Sequence, residues 1–198
     1  MAQHAFARNS FWEIANVTGN QLIFKLNKVP EGYDWPFKFE LEYKVSVSSN
    51  SLTCELSATN LDDKPFEFTS LLHTYFKINN VLDCTVSQLS DEVFDKVQGK
   101  TRKQTMPVVF KDEVDLVFMD APNISNIEDG NRVIKVEKKN FNDFVVWNPQ
   151  SKAASMTDLE EGGEKRFICV EAGSVWKPVE LQPKKTWTAG MTLTVSKK

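Results

Sequence analysis

The chain is short of cysteine, of histidine, of positive charge and of long apolar runs, and each shortage removes a class of function. Its three cysteines, Cys54, Cys84 and Cys169, stand far apart in 198 residues. An odd, scattered set argues against a disulfide framework and for a reducing compartment. With no CxxC and no Cys/His cluster in the sequence, no metal site is expected. Lys and Arg number 24 against 27 Asp and Glu, a net charge of −3. The basic residues are scattered rather than gathered into a stripe, so nucleic acid is not an expected partner. No stretch approaches the roughly 18 consecutive apolar residues of a membrane span, so no membrane is expected either. The opening Met-Ala-Gln-His-Ala-Phe-Ala-Arg lacks the charged and then apolar regions of a secretory signal, so the sequons at Asn16 and Asn123 read as chance and the location as cytoplasmic. Glycine-rich phosphate loops, nucleophile elbows and HExxH are missing too.

What is there is alternation. Hydrophobic residues at 41% and charged residues at 26% are the balance of a soluble globular protein. Residues 37–47 place Phe37, Phe39, Leu41, Tyr43, Val45 and Val47 on one face and Lys38, Glu40, Glu42, Lys44 and Ser46 on the other. A turn at 48–51 and a second alternating run at 52–58 complete a β-hairpin. Residues 187–195 alternate in the same way, and apolar runs at 21–26, 106–110, 114–119, 131–137, 143–147, 166–171 and 174–181 are further strands. No window sustains a helical stripe; one helical turn is expected near 156–161. Short strands with turn signals about every 8–12 residues indicate an all-β antiparallel sandwich or barrel. With no repeat, low-complexity tract or linker, residues 1–198 are expected to be a single domain.

Few residues stand out as chemistry. The strand read over 66–78 carries His73, one of two histidines, on its mixed face between Leu71 and Tyr75. An imidazole beside apolar and aromatic neighbours suits proton transfer near neutral pH. Glu171, read as ending a buried strand before the small residues Ala172-Gly173-Ser174, would sit at the mouth of a cleft, and Asp115 interrupts the apolar run Val114–Phe118; burial of either would shift its pKa. His4 and Arg8 stand close together near the start, and Arg is the preferred planar partner of carboxylate or phosphate. The structural reading stands beside each: a hydrogen-bonded strand histidine, edge carboxylates, a surface arginine, and tryptophans that fill a core rather than stack on sugar.

Six strings, in order and spanning nearly the whole chain, narrow this. Gln3-His-Ala-Phe-Ala-Arg-Asn9, Leu72-His-Thr-Tyr-Phe76, Glu113-Val-Asp-Leu-Val-Phe118, Val146-Trp-Asn-Pro149 with Lys152-Ala, Met156-Thr-Asp158 and Cys169-Val-Glu-Ala-Gly173 resemble the hexose-6-phosphate branch of the aldose 1-epimerase family. The resemblance implies a large antiparallel supersandwich of the galactose mutarotase type and an isomerase that exchanges the α and β anomers of glucose 6-phosphate or a related sugar phosphate. It implies no cofactor and a monomer. His73 would be the acid that protonates the ring oxygen and Glu171 the base that takes the anomeric proton. Asp115 would bind sugar hydroxyls; Gln3, His4 and Arg8 would belong to the substrate site, Arg8 near the phosphate. Three departures bear on this. The family carries strands and an R-G-G-I-P-type motif ahead of the first string, and these are expected to be missing here. Ala5 and Ala172 replace glycine and proline, and Leu116 replaces the arginine that usually follows the aspartate, removing a positive charge. The alternatives are a truncated, non-catalytic sugar-binding sandwich, a mutarotase for unphosphorylated aldoses, and an interaction domain with no sugar site.

Overall fold

The alternation becomes strands almost wherever it is regular. The computed structural model describes residues 6–198; Gln3 and His4 lie outside the described residues. The chain divides into two compact units, one reaching to Phe68 and including Pro178–Gly190, the other comprising Thr69–Lys177 and Met191–Lys198. Among the described residues the helical elements are short 3-10 turns, and no helix is long and apolar enough to cross a membrane.

The first unit is built on an antiparallel meander of β1 (Glu13–Thr18), β2 (Gln21–Leu26), β3 (Phe39–Val47) and β4 (Ser51–Asn60). The hairpin read over 37–58 is the β3–β4 pair, in register from Val47 opposite Leu52 to Phe39 opposite Asn60. Its buried residues Phe6, Leu26, Phe39, Ala58, Phe66 and Leu181 gather Trp12, Trp35, Phe37, Phe68 and Trp187 around them. Three of the five tryptophans are therefore core or core-edge residues, Trp35 standing edge-on to Phe66 at 5.2 Å. Arg8 is exposed on the 3-10 turn Ala7–Asn9 of this unit.

Strand β5 (Phe66–Leu72) carries the chain into the second unit. There follow β6 (Tyr75–Lys77), β7 (Cys84–Ser87), β8 (Glu92–Asp95), β9 (Lys100–Lys103), β10 (Val108–Val109), β11 (Val114–Phe118), β12 (Ile124–Asp129), β13 (Arg132–Lys139), β14 (Asp143–Asn148), β15 (Phe167–Leu181) and β16 (Thr186–Lys197). Within this unit β13-β12-β7-β10 are hydrogen-bonded neighbours in one sheet, and β15-β14-β11-β8-β9, with β6 on β15, in another. Both sheets bury β-branched and aromatic side chains completely, among them Val86, Ile127 and Val136 in the first and Phe118, Val146 and Val170 in the second.

Three local expectations are corrected. The strand read over 66–78 is broken at His73 and Thr74, so His73 sits in a gap between β5 and β6 rather than mid-strand. The runs at 166–171 and 174–181 are one 15-residue strand, β15, and Glu171 lies inside it. No helical turn forms across 156–161; 3-10 turns flank it at Gln150–Ser155 and Gly163–Arg166.

Asp143 at the start of β14 fixes β15 where it matters. Its carboxylate, 1% exposed as a residue, accepts from the backbone amides of Asp120, Val175 and Trp176. Removing it would leave three part-buried amide donors without their acceptor. Asp143→Ala is expected to lower stability by about 3 kcal/mol, a fall of roughly 6–12 °C in the melting temperature. A shift near zero in a thermal melt would show that water replaces the carboxylate.

Candidate functional site

Register places the site. Across the second unit's sheet Asp115 of β11 is opposite Trp147 of β14, Trp147 is opposite Cys169 of β15, and Cys169 is opposite Tyr75 of β6. In the next row Val117 is opposite Val145 and Val145 opposite Glu171. Residues directly opposite in a ladder share a face. One face of four strands therefore gathers Asp115, Trp147, Cys169, Tyr75 and Glu171 from positions far apart in the chain.

His73 comes to this face from the break between β5 and β6. Its Nδ1 lies 3.2 Å from Oε1 of Glu171, with the two side chains 25% and 3% exposed. The imidazole stacks on Tyr75 at 4.9 Å and 9° between planes, and stands edge-on to Trp147 at 6.1 Å. Phe167 completes the aromatic patch, 5.2 Å from Tyr75 and 5.7 Å from Trp147. Of the five tryptophans Trp147 is the one beside the pair; Trp176 packs on Phe94.

Gly173 explains how His73 reaches Glu171. The small residues after Glu171 do not make a turn. They let the end of β5 approach β15: a Cβ at 173 would lie 2.6 Å from the Leu71 Cβ and 2.9 Å from the Ser70 carbonyl oxygen. Glycine inside a strand marks such a close backbone approach. Ser70 and Leu71 lead directly into His73.

The electrostatics suit proton transfer. Burial pushes the Glu171 carboxyl up to about 8, the negative charge of Asp115 adds to this, and Lys96 opposes it. Asp115 is itself raised, chiefly by burial, against the lowering effect of the Lys96 ammonium 3.0 Å from its Oδ2. Lys152 pairs with Glu113, the residue just before β11, at 2.6 Å, so a second lysine–carboxylate pair stands two residues from Asp115. The Cys169 thiol is held far above its ordinary range by burial and by the Glu171 charge beside it.

Of the residues singled out from sequence, the structure brings His73, Glu171 and Asp115 into one electrostatic cluster. Arg8 belongs to the other unit. Leu116 is buried and points away from the face that carries Asp115, while Lys96, immediately after β8, supplies a positive charge there. Lys96, Trp147, Tyr75, Cys169 and Gly173 were not picked out for the site. Counting back by two from Glu171 marks Cys169 as sharing its face. For Lys96 nothing local serves, because its position follows from the β8–β11 pairing.

Comparisons with known proteins agree with this architecture. The family model described as aldose 1-epimerase matches residues 1–194. A candidate glucose-6-phosphate 1-epimerase from Cenchrus ciliaris is 34% identical over 98% of this chain and 64% of its own length. A candidate glucose-6-phosphate 1-epimerase from Escherichia coli is 30% identical over 98% of this chain and 68% of its own. The crystal structure of a candidate mutarotase from Salmonella typhimurium superposes with a TM-score of 0.89 at 31% identity, covering 100% of this chain and 69% of that one. The chain thus spans about two thirds of the length of these relatives.

Proposed function

Because this chain belongs to the aldose 1-epimerase family, we propose that it interconverts the α and β anomers of a hexose 6-phosphate, glucose 6-phosphate first among them. The observation that carries the reading is the His73–Glu171 pair, 3.2 Å apart on an aromatic-lined sheet face.

In this reading His73 gives a proton to the ring oxygen while Glu171 takes the proton of the anomeric hydroxyl. The C1–ring-oxygen bond breaks and an open-chain aldehyde forms. Rotation about C1–C2 presents the other face of the carbonyl, and reclosure returns each proton to its donor. Atoms, electrons and protons balance over the cycle, so the chemistry calls for no cofactor. An acid and a base acting together each contribute roughly 10²–10⁴ in rate. Glu171 acts as base in its ionised form, and a carboxylate whose pKa is raised by burial is then a stronger base than an ordinary one. The aromatic rings offer the apolar face of a sugar a surface to stack on, and Asp115, held by Lys96, would accept from its hydroxyls. Gln3, His4 and Arg8 are assigned to the substrate site on the opening string alone, with Arg8 toward the phosphate.

The test is anomer exchange followed by NMR, with glucose 6-phosphate and glucose offered separately. Faster exchange of the phosphorylated sugar is expected, and it is expected to be lost in His73→Ala. Equal catalysis of both sugars would remove the phosphate from the reading. Exchange at the uncatalysed rate for wild type with either sugar would remove the enzyme.

A further inference from the structure

The acid–base reading leaves one residue of this face without a task. Cys169 and Glu171, two apart on β15, leave the strand on the same side. A ring nitrogen of His73, the Cys169 sulfur and a carboxylate oxygen of Glu171 all lie within 4.8 Å of one another. Among the described residues this is the one such grouping of potential ligands.

Imidazole nitrogen, thiolate sulfur and carboxylate oxygen are the donors of tetrahedral zinc sites, where three protein ligands leave a fourth position open. Bonds of roughly 2.0–2.3 Å to such donors place them roughly 3.3–3.6 Å apart, so no side of the triangle has to close by more than about 1.5 Å. Two of its corners are fixed on one strand. The third, His73, is a quarter exposed and comes from the break between β5 and β6.

We propose that His73, Cys169 and Glu171 form a chelating site for a thiophilic divalent cation such as Zn²⁺, and that its occupation reversibly shuts the acid–base pair off. The binding stands on the ligand geometry; the inhibition rests on the reading under Proposed function. Binding exchanges bonds cleanly: the thiol proton and any proton on the carboxyl leave to solvent as the metal bonds form, the carboxylate binds as the anion, and the imidazole binds neutral. Hard cations are a poor match. Mg²⁺ and Ca²⁺ seek six or more oxygen ligands, whereas the trio offers a single carboxylate with a soft sulfur.

The experiment uses the full chain stripped with chelator, Zn²⁺ titrated by calorimetry, and Co²⁺ as a spectroscopic substitute. One ion per chain and a thiolate-to-Co²⁺ charge-transfer band are expected. The band is expected to vanish in Cys169→Ser and to persist in Cys84→Ser, which alters a separate buried thiol. Saturating Zn²⁺ is expected to slow anomer exchange at least tenfold, reversed by chelator, while Mg²⁺ leaves it unchanged. Should Cys169→Ser fail to melt cooperatively, His73→Ala and Glu171→Gln take its place. Each removes a ligand but keeps the thiol, and each is expected to weaken Zn²⁺ by about tenfold or more. No band and no stoichiometric heat, a band that survives Cys169→Ser, or unchanged affinity in both replacement variants would overturn the site. A chain that binds Zn²⁺ through Cys169 but exchanges no anomers when metal-free would instead overturn the acid–base reading and leave the site standing.

Discussion

Glu171→Gln is expected to abolish anomer exchange and, above pH 8, to make the protein more stable than wild type. Both effects come from one cause. Glu171 is 2% exposed, and burial holds its carboxyl at about 8 against an ordinary 4.5. Below about 4.5 the group is neutral in folded and unfolded chains alike. Between about 4.5 and 8 the unfolded chain ionises while the folded one keeps its proton, so the contribution to stability falls as pH rises and is fully lost above about 8. At pH 9 the buried carboxylate then costs the folded state on the order of 5 kcal/mol. Glutamine carries no charge and avoids that cost. The melting temperature of Glu171→Gln is therefore expected to exceed wild type by about 10 °C at pH 9 and to match it near pH 5, in chelator-treated buffer. The rate is expected to fall by 10² or more. A variant that melts with wild type at pH 9 would show that the folded protein solvates this carboxylate.

The second large effect is expected from a single methyl group. Gly173→Ala places a Cβ 2.6 Å from the Leu71 Cβ and 2.9 Å from the Ser70 carbonyl oxygen, distances that force the end of β5 outward. Over-packing of this kind costs roughly 1–3 kcal/mol. The larger consequence is expected in turnover, because His73 follows Ser70 and Leu71 in the chain and moves with them. Displacing a catalytic group by about 1 Å can cost 10²-fold. A melt and an exchange rate separate the two effects. Wild-type turnover in Gly173→Ala would mean that the break at His73 and Thr74 absorbs the shift, and that the glycine does not position the histidine.

The same glycine shows where local sequence stops informing. Ala172-Gly173-Ser174 reads as a turn because small residues usually punctuate strands, yet here they keep β15 continuous where the end of β5 comes close beside it. An apolar run located β2 at 21–26, and alternation located the β3–β4 hairpin because its apolar and polar residues repeat every two positions. It did not mark β9, Lys100–Lys103, whose residues are nearly all exposed and which is a strand because β8 pairs with it. Nor did it mark β1, exposed at every position. His73, Glu171 and Asp115 were legible as residues out of place in apolar surroundings. Tyr75 beside His73 and Cys169 two residues before Glu171 follow from spacing along the chain; Trp147 and Lys96 do not, since they join through the pairing of strands distant in sequence.

Everything here turns on the 3.2 Å contact between His73 and Glu171. The most direct measurement is the rate of glucose 6-phosphate anomer exchange, by NMR, for wild type and for His73→Ala under identical metal-free conditions. A catalysed wild-type rate that drops by 10²–10⁴ in the variant, with its melt still cooperative, is the result expected. Equal rates in the two proteins, whether fast or at the uncatalysed level, would contradict it.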